Sequence, residues 1–473
     1  MSLLSESNRI YCIGLKGVGM TGLAQLLKAQ GKEVWGSDTA EPFFTSGVLA
    51  RAGIECWDKF EAKHLSGQID LVIRSTAYNE EQVEVKAALS KVLKVITYAE
   101  ALGELTSQFK SVAVAGSHGK TTTTAMLAYV LKAASLAPQA LVGSRVPQFE
   151  GNALTGSGEL FVFEADEYQN KLQYFLPQGI ILTSIDWDHP DFFPTKEDYA
   201  QAFVQFLKKL PADGWAVVCA DSPGVKQAVG QAGLRPEQIS TYGLTSGYWR
   251  MVRMWLDEGW WHFSLQEGEE FRGEFWLKLV GSHNVANALA VIAAARRLGV
   301  DLEIIRQALA SFEGTARRFE VKGKLTNSLT IVDDYGHHPS EIMATLKAAR
   351  AFYPYKDIRC VFQPHTFSRT QALLKNFGTA FGEADEIIVL ETYASARETA
   401  GGRDGDASAQ GLAEEIKQHH SKVEFKSTID EAAEYLATTA NRNQLIITMG
   451  AGDVWQVGEK LIAKFGLTSG GGD

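Results

Sequence analysis

The sequence predicts an α/β protein of three successive domains, each built on a mostly parallel sheet flanked by helices. Three observations lead there. Short β-branched runs alternate with helical stretches along most of the chain, two Gly-rich turns each join a strand to a helix, and one aromatic-rich stretch breaks the alternation. A length of 473 residues accommodates about two to four domains, and changes of texture divide the chain at 1–107, 108–321 and 322–473.

In the first block RIYCIG reads as a strand, MTGLAQLLKAQG as a helix ending at Gly31, and KEVWGSD and DLVIRST as further strands. The second block opens with strand, loop and helix in SVAVAGSHGKTTTTAMLAYVLKAA. LFVFEADE and GIILTSIDWDH follow, two apolar runs that end in acids or imidazole, as buried parallel strands with chemistry at their carboxyl ends do. From about 241 to 280, aromatic runs broken by Gly-containing turns predict a small antiparallel insert whose tryptophans pack. SHNVANALAVIAAARRLGV then returns to a helix that stops at Gly299. In the third block LTIVDDYGHHP, IRCVFQPH, EIIVLET and QLIITMGAGDVW are four strands separated by helices. The first and third blocks are therefore expected to be Rossmann-like, and the central one a P-loop-type α/β domain.

Composition narrows the class of function. The hydrophobic fraction is 45% and the charged fraction 22%, enough apolar residues to bury real cores. The net charge of −10 is spread without a basic block, which argues against gripping nucleic acid or an anionic membrane. Cys12, Cys56, Cys219 and Cys360 have no CxxC spacing and read as core residues of a reducing compartment. The start MSLLSESNRIYCIG lacks the pattern of a signal peptide, and no uninterrupted apolar run is long enough to span a bilayer, so a cytoplasmic location is expected.

Gly116-Ser117-His118-Gly119-Lys120-Thr121 is the strongest single feature. Backbone amides of a Gly-rich turn and a helix start converge on an anion, Lys120 adds charge for the β- and γ-phosphates, and the Thr121 hydroxyl can ligate Mg²⁺. Val114 stands where a longer Walker loop has its first glycine, so this is the short GxxGKT form. Gly116, His118, Gly119, Lys120, Thr121 and Thr122 are the candidate triphosphate ligands. Gly17-Val18-Gly19-Met20-Thr21-Gly22 fits GxGxxG after a strand, with Asp38 at the end of the next strand, and predicts a nucleotide-diphosphate site. Taken alone that loop would favour a nicotinamide-dependent oxidoreductase, yet the same geometry suits the diphosphate and ribose of any nucleotide, including a UDP-sugar.

Phosphoryl transfer needs metal ions and positive charge around the γ-phosphate. Glu164 and His189, each just past a predicted strand, are the candidate metal ligands beside Lys120 and Thr121, Glu164 being the better match to Mg²⁺. Asn284 and Asn287 share a helix face and can read an adenine edge. Arg317 and Arg318 lie between the second and third blocks, where closure could bring a guanidinium onto phosphate charge. Asp334 suits a ribose, and His365 with Arg369 an amino-acid carboxylate. Six histidines (118, 189, 283, 337, 338 and 365) sit in loops or helix starts, a concentration that scattered structural histidines would not show.

In order and spacing, GSHGKTTTT, EADEY, IDWDHPD, HNVANALA, ARRFE, DDYGHHP, FQPHTFSRT and TMGAGDVW resemble the Mur ligases along nearly the whole chain, most of all the branch that adds L-alanine. That resemblance implies an N-terminal UDP-binding domain, a central ATPase and a C-terminal domain that closes over the site. It implies ATP-dependent joining of L-alanine to the carboxylate of UDP-N-acetylmuramate through an acyl phosphate, with Mg²⁺ or Mn²⁺. It also implies a role in making peptidoglycan precursors, as a monomer or homodimer.

By motif, Lys120, Glu164, His189 and Arg318 would be catalytic, with Thr121, Glu164 and His189 at the metal. Asn284 or Asn287 would meet adenine and Asp334 the ribose. Gly17, Gly19, Met20, Asp38 and Ser75-Thr76-Ala77 would hold the UDP part, and Tyr335, His337, His365 and Arg369 the alanine. Phe203 stands where several Mur ligases have a carbamylated lysine, a departure shared by the L-alanine branch. Thr366 stands where some of that branch have arginine, which leaves Arg369 as the carboxylate partner. The nearest alternative is the murein tripeptide recycling branch. A silent UDP-muramate sensor would need a decayed phosphate loop, and Lys120 and Thr121 are intact.

Overall fold

The computed structural model describes residues 3–41, 43–325, 329–393 and 408–467. Three sheets follow one another along the chain. The first comprises β1 (Arg9–Ile13), β2 (Glu33–Ser37), β3 (Cys56–Trp57), β4 (Leu71–Arg74) and β5 (Val95–Thr97), all parallel in the order β3-β2-β1-β4-β5. The change of direction at β1 puts the loops after β1 and β4 side by side, where an open parallel sheet takes its ligands.

The second sheet has ten strands in the order β15-β14-β13-β12-β11-β10-β6-β9-β7-β8. These are β6 (Lys110–Ala115), β7 (Gln139–Val146), β8 (Gly151–Thr155), β9 (Leu160–Glu164), β10 (Gly179–Leu182), β11 (Trp215–Cys219), β12 (Ile239–Gly243), β13 (Trp249–Asp257), β14 (Trp260–Glu267) and β15 (Glu270–Leu277). Strand β6 lies between β10 and β9, both parallel to it, with Ala115 level with Leu182 and Val114 level with Glu164. This register brings the turn after β6 against the chain leaving β9 and β10. The aromatic stretch forms the antiparallel β13–β15 meander, which extends this sheet instead of standing apart from it. Trp249 and Trp261 are buried, while Trp255, His262 and Trp276 line up across the three strands on the other face.

The third sheet runs β16-β17-β21-β18-β19-β20, with only β16 antiparallel. Its strands are β16 (Glu320–Lys324), β17 (Thr330–Asp334), β18 (Asp357–Phe362), β19 (Glu386–Leu390), β20 (Val423–Lys426) and β21 (Gln444–Met449). Strand β16 straddles the division expected at 321/322, because its ladder with β17 holds Glu320 opposite Asp333. A division before Glu320 keeps the sheet whole.

The first two sheets share one apolar cluster that includes Leu23, Leu102, Leu141 and Phe175. At their junction the Asn152 amide donates to Val18 O at 2.8 Å, across the glycine face of the helix Val18–Ala29.

Candidate active site

The turn after β6 depends on two glycines. Gly116 has φ +130°, and a Cβ there would fall 2.2 Å from Thr183 Oγ1; Gly119 has φ +77°, and a Cβ there would fall 2.5 Å from Asn287 Oδ1. Ser117 N donates to Ser184 O at 2.9 Å and His118 N to Ser184 Oγ at 3.1 Å, so the segment after β10 fixes the turn. The helix Lys120–Ala133 then starts, and its first-turn amides point out of its N-terminus as a cradle for an anion.

Lys120 faces the strand ends. Its Nζ donates to Gly116 O at 2.5 Å and to Glu167 Oε2 at 2.9 Å. Burial pulls the ammonium pKa down, but Glu167, Asp166 and Glu164 outweigh it and hold the pKa above the usual lysine value. Thr121 Oγ1 donates to Glu164 Oε2 at 2.9 Å, and Gly143 N donates to the same oxygen at 2.9 Å. Burial pushes the Glu164 carboxyl up, against Lys120 and Thr121. A hydroxyl and a carboxylate so placed are hard oxygen donors, the kind Mg²⁺ takes.

His189, with φ +55°, turns toward a second group of donors. Ligand atoms of Asp166, Glu167 and His189 all lie within 4.8 Å of one another. Tyr199 OH donates to Glu167 Oε1 at 3.0 Å, and Lys171 pairs with Asp166 at 2.5 Å. Asp166 stays below the usual carboxylate range because Lys171 and Lys120 overcome its burial. Sequence reasoning singled out Glu164 and passed over Asp166 and Glu167 in the same EADE run. Phe203 is fully buried with its ring 5.2 Å from Tyr199, a packing role for the position where a lysine was sought.

A cavity of about 240 Å³ opens between the second and third sheets. His118, Gly119, Thr121, Thr122, Asn284, Asn287, Arg318 and Asp334 all line it, so every expected nucleotide residue except Gly116 and Lys120 reaches one space. Asn287 Nδ2 donates to Asn284 Oδ1 at 3.2 Å, and Asn284 Nδ2 donates to Val280 O at 2.9 Å. Asp334 accepts from Phe319 N at 2.8 Å and Gly336 N at 2.7 Å, and burial raises its pKa. Burial also lowers His283, another lining residue, to about 4 and so keeps it neutral. His118 behaves oppositely. Burial lowers its pKa, but Asp186 and Glu341, each 3.2 Å away, raise it to about 9. The Asp186 contact is an ion pair without the direction of a hydrogen bond.

Some expected residues are engaged differently. Arg317, offered with Arg318 for phosphate, is tied to Asp333 at 2.9 Å, Gly450 O at 2.7 Å and Gly452 O at 3.1 Å; it clamps the GAGD turn. Arg318 alone lines the cavity, 5.0 Å above the Tyr335 ring. Arg369, expected to meet a free carboxylate, places its fork on Asp188, with Nε to Oδ1 at 2.7 Å and Nη2 to Oδ2 at 3.2 Å. Both partners are buried, so the pair is complete within the protein. Tyr335, His337 and His365 form a chain of rings beside it, spaced 5.5 and 6.2 Å, and burial lowers His337 to about 3.

In the first domain, Gly17 precedes the helix Val18–Ala29, and Asp38 accepts from Lys16 N at 2.7 Å and Thr39 N at 2.7 Å. Ser75-Thr76-Ala77 follows β4, with Ser75 N donating to Ile13 O at 2.9 Å. The Met20 side chain, expected at the diphosphate, is buried in the core, which leaves only its backbone to face a ligand. Gly19 and Gly22 serve close packing. A Cβ on Gly19 would fall 2.7 Å from the Tyr98 ring, and one on Gly22 would fall 2.8 Å from Asn152 Nδ2.

Three family profiles cover this architecture in order. Residues 9–110 match the Mur ligase family, catalytic domain; residues 114–295 the Mur ligase middle domain; and residues 317–452 the Mur ligase, glutamate ligase domain. A UDP-N-acetylmuramate–L-alanine ligase of Desulfitobacterium hafniense is 40% identical over 96% of this chain and 99% of its own length. The chain belongs to the Mur ligase family.

Among curated Mur ligases, the UDP-N-acetylmuramate–L-alanine ligase of Myxococcus xanthus is 39% identical over 96% of this chain and 94% of its own. Among solved Mur ligases, the UDP-N-acetylmuramate–alanine ligase of Thermotoga maritima superposes with a TM-score of 0.81 at 26% identity, covering 96% and 98% of the two chains. A murein peptide ligase of Psychrobacter arcticus shares the fold, with a TM-score of 0.70 at 24% identity and the same coverages. Membership in this family sets aside the nicotinamide oxidoreductase reading of the GVGMTG loop. Among the described residues, no helix is long and apolar enough to cross a membrane.

Proposed function

We propose that this chain uses ATP to join L-alanine to the carboxylate of UDP-N-acetylmuramate, releasing ADP and phosphate, in peptidoglycan precursor synthesis. One observation carries the reading. The phosphate turn, the Thr121–Glu164 donor pair, the Asn284–Asn287 pair, Arg318 and Asp334 meet around a single cleft. The full-length similarity to L-alanine ligases supports the choice of amino acid.

In this mechanism the muramate carboxylate attacks the γ-phosphate, the bond to ADP breaks, and an acyl phosphate forms. The alanine amine then attacks the acyl carbon and phosphate leaves. Lys120 and Arg318 neutralise charge on the transferring group, which is the largest catalytic contribution to such a step. Thr121 and Glu164 would hold Mg²⁺ or Mn²⁺, and His189, grouped with Asp166 and Glu167, would offer a second set of donors; the ion would supply charge neutralisation at the phosphate oxygens. Asn284 or Asn287 would orient adenine, and Asp334 would orient the ribose. Gly17, Gly19, the Met20 backbone, Asp38 and Ser75-Thr76-Ala77 would hold the UDP part. Tyr335, His337 and His365 would surround alanine, with Arg369, held on Asp188, fixing His365 through its backbone carbonyl. The division at 1–107, 108–321 and 322–473, adjusted to spare β16, a cytoplasmic site of action, and a monomer or homodimer belong to the same reading.

The deciding experiment is ATP-dependent phosphate release with UDP-N-acetylmuramate and either L-alanine or L-Ala-γ-D-Glu-meso-diaminopimelate. Turnover with L-alanine is expected. Strong turnover only with the tripeptide would move the chain to the recycling branch.

A further inference from the structure

Glu341 lies outside the residues expected from the sequence, yet it reaches both sides of the cleft between the second and third sheets. It is the third residue of the helix Pro339–Phe352, where a glutamate ordinarily returns to the N-cap backbone. Only one of its oxygens does so. Oε2 accepts from His337 N at 3.0 Å and His338 N at 3.2 Å, which fixes the loop carrying Tyr335 and His337. The other oxygen crosses to the nucleotide side. Oε1 lies 3.2 Å from His118 Nδ1, in the phosphate turn, and 3.8 Å from Arg318 Nη1. The carboxylate is largely buried and lines the same cavity as Asn284, Asn287 and Asp334. A helix cap alone needs none of these cross-domain contacts.

We propose that Glu341 is a positioning residue that couples the two halves of the cleft, setting His118 and Arg318 with one oxygen and the Tyr335–His338 loop with the other. The claim rests on the ligase reading and deepens it. The phosphate turn and the amino-acid loop come from different sheets, and this carboxylate holds both, through His118 Nδ1 on one side and the His337 and His338 amides on the other, beside the His118–His338 ring contact. A charged hydrogen bond of this kind corresponds to about 10- to 100-fold in an equilibrium or rate constant.

The test uses the full-length protein. Glu341→Gln keeps size and an acceptor for the amides but removes the charge facing His118 and Arg318. It should raise KM for both ATP and L-alanine and lower kcat/KM about 10- to 100-fold, with KM for UDP-N-acetylmuramate unchanged. Glu341→Asp still caps the helix but withdraws its carboxylate from His118, and it should show the same loss, which guards against a Gln variant that fails to fold. A lowered Tm with unchanged KM values in both variants would reduce Glu341 to a cap and overturn the proposal. A double-mutant cycle with His118→Asn, read on the dissociation constant for ADP, keeps this claim separate from the ligase reading, because it needs no turnover. Combined losses no greater than the worse single loss are expected; losses that simply multiply would overturn the coupling.

Discussion

Replacing Lys120 separates catalytic from structural roles within one buried ion pair. Lys120→Ala removes the cation meant for the β/γ-phosphates and also strands Glu167, whose carboxylate is 1% exposed and, among the described residues, keeps the Tyr199 hydroxyl and the neighbouring His189 as partners. Breaking a buried pair in this way costs about 3–5 kcal/mol of stability. Losing one preorganised cation at a transferring phosphoryl group costs about 10²–10³ in kcat. A single variant confounds the two effects. In Lys120→Met/Glu167→Gln the pair becomes neutral at similar volume, so most of the lost Tm should return. Phosphate release should stay at least about 100-fold down, while UDP-N-acetylmuramate binding, followed by calorimetry, should be unchanged because its expected site lies in the first domain. Recovery of near-normal turnover together with Tm would show that Lys120 only supports the fold and would remove the physical basis of the mechanism.

Three other outcomes follow from the same geometry. His118 is raised to about 9 from 6.5, burial being outweighed by Asp186 and Glu341, so the stability of its charged form is full below about pH 6.5 and lost as pH rises through 9. Tm between pH 6.5 and 9.5 should reflect a loss of about 3 kcal/mol that His118→Asn abolishes; equal slopes in the two proteins would contradict this. Gly22→Ala drives a methyl group to 2.8 Å from the Asn152 amide and 3.3 Å from Leu141 at the junction of the first two domains, so thermal unfolding should show a cost of about 1–3 kcal/mol. Asp188→Ala leaves the Arg369 guanidinium buried without its partner and should cost about 3–5 kcal/mol in chemical denaturation, while Asp188→Glu, one methylene longer, should recover part of it.

The strands that carry the site were readable because buried parallel strands are short apolar runs ending in polar residues. Strands β1, β6, β9, β10 and β17 are all short apolar runs, of which β9 and β17 end in acids, β10 runs into Thr183, and β1 and β6 run into the glycines of their loops. Lys120, Thr121, Glu164, Asn284, Asn287 and Asp334 converge because their motifs sit at the carboxyl ends of strands or at the start of a helix, and Arg318 joins them from the loop that enters β16. The β7–β8 hairpin and β16 were not anticipated. Gln139–Val146 carries Gly143 and Arg145 at its exposed end, and Glu320–Lys324 is a half-exposed edge strand with little apolar signal. Asp188 and Glu341 were missed for another reason. Their partners, Arg369 and His118, lie 181 and 223 residues away, and no local pattern reports such a pairing. Met20 shows the opposite failure, since a loop motif predicted a ligand contact while the side chain belongs to the helix face that packs inward.

The second domain meets its two neighbours through surfaces of different kind, and this bears on where the protein can move. With the first domain it shares an apolar cluster, and Gly22 lets Asn152 and Leu141 approach too closely for any larger side chain there. Separation there would expose apolar area and open packed contacts. Toward the third domain, Val280 and Trp187 contribute to its core, but the contacts nearest the cleft are ionic: Asp188 with Arg369, and His118 with Glu341. Charges that leave such pairs regain water, which offsets much of the attraction lost, whereas exposed apolar surface has no comparable compensation. The second junction is therefore the one suited to part and re-form around a nucleotide. The carboxylate of Glu341, which holds the junction through His118, also lies beside Arg318 and the phosphate turn, so re-forming the junction and assembling that part of the site are one event.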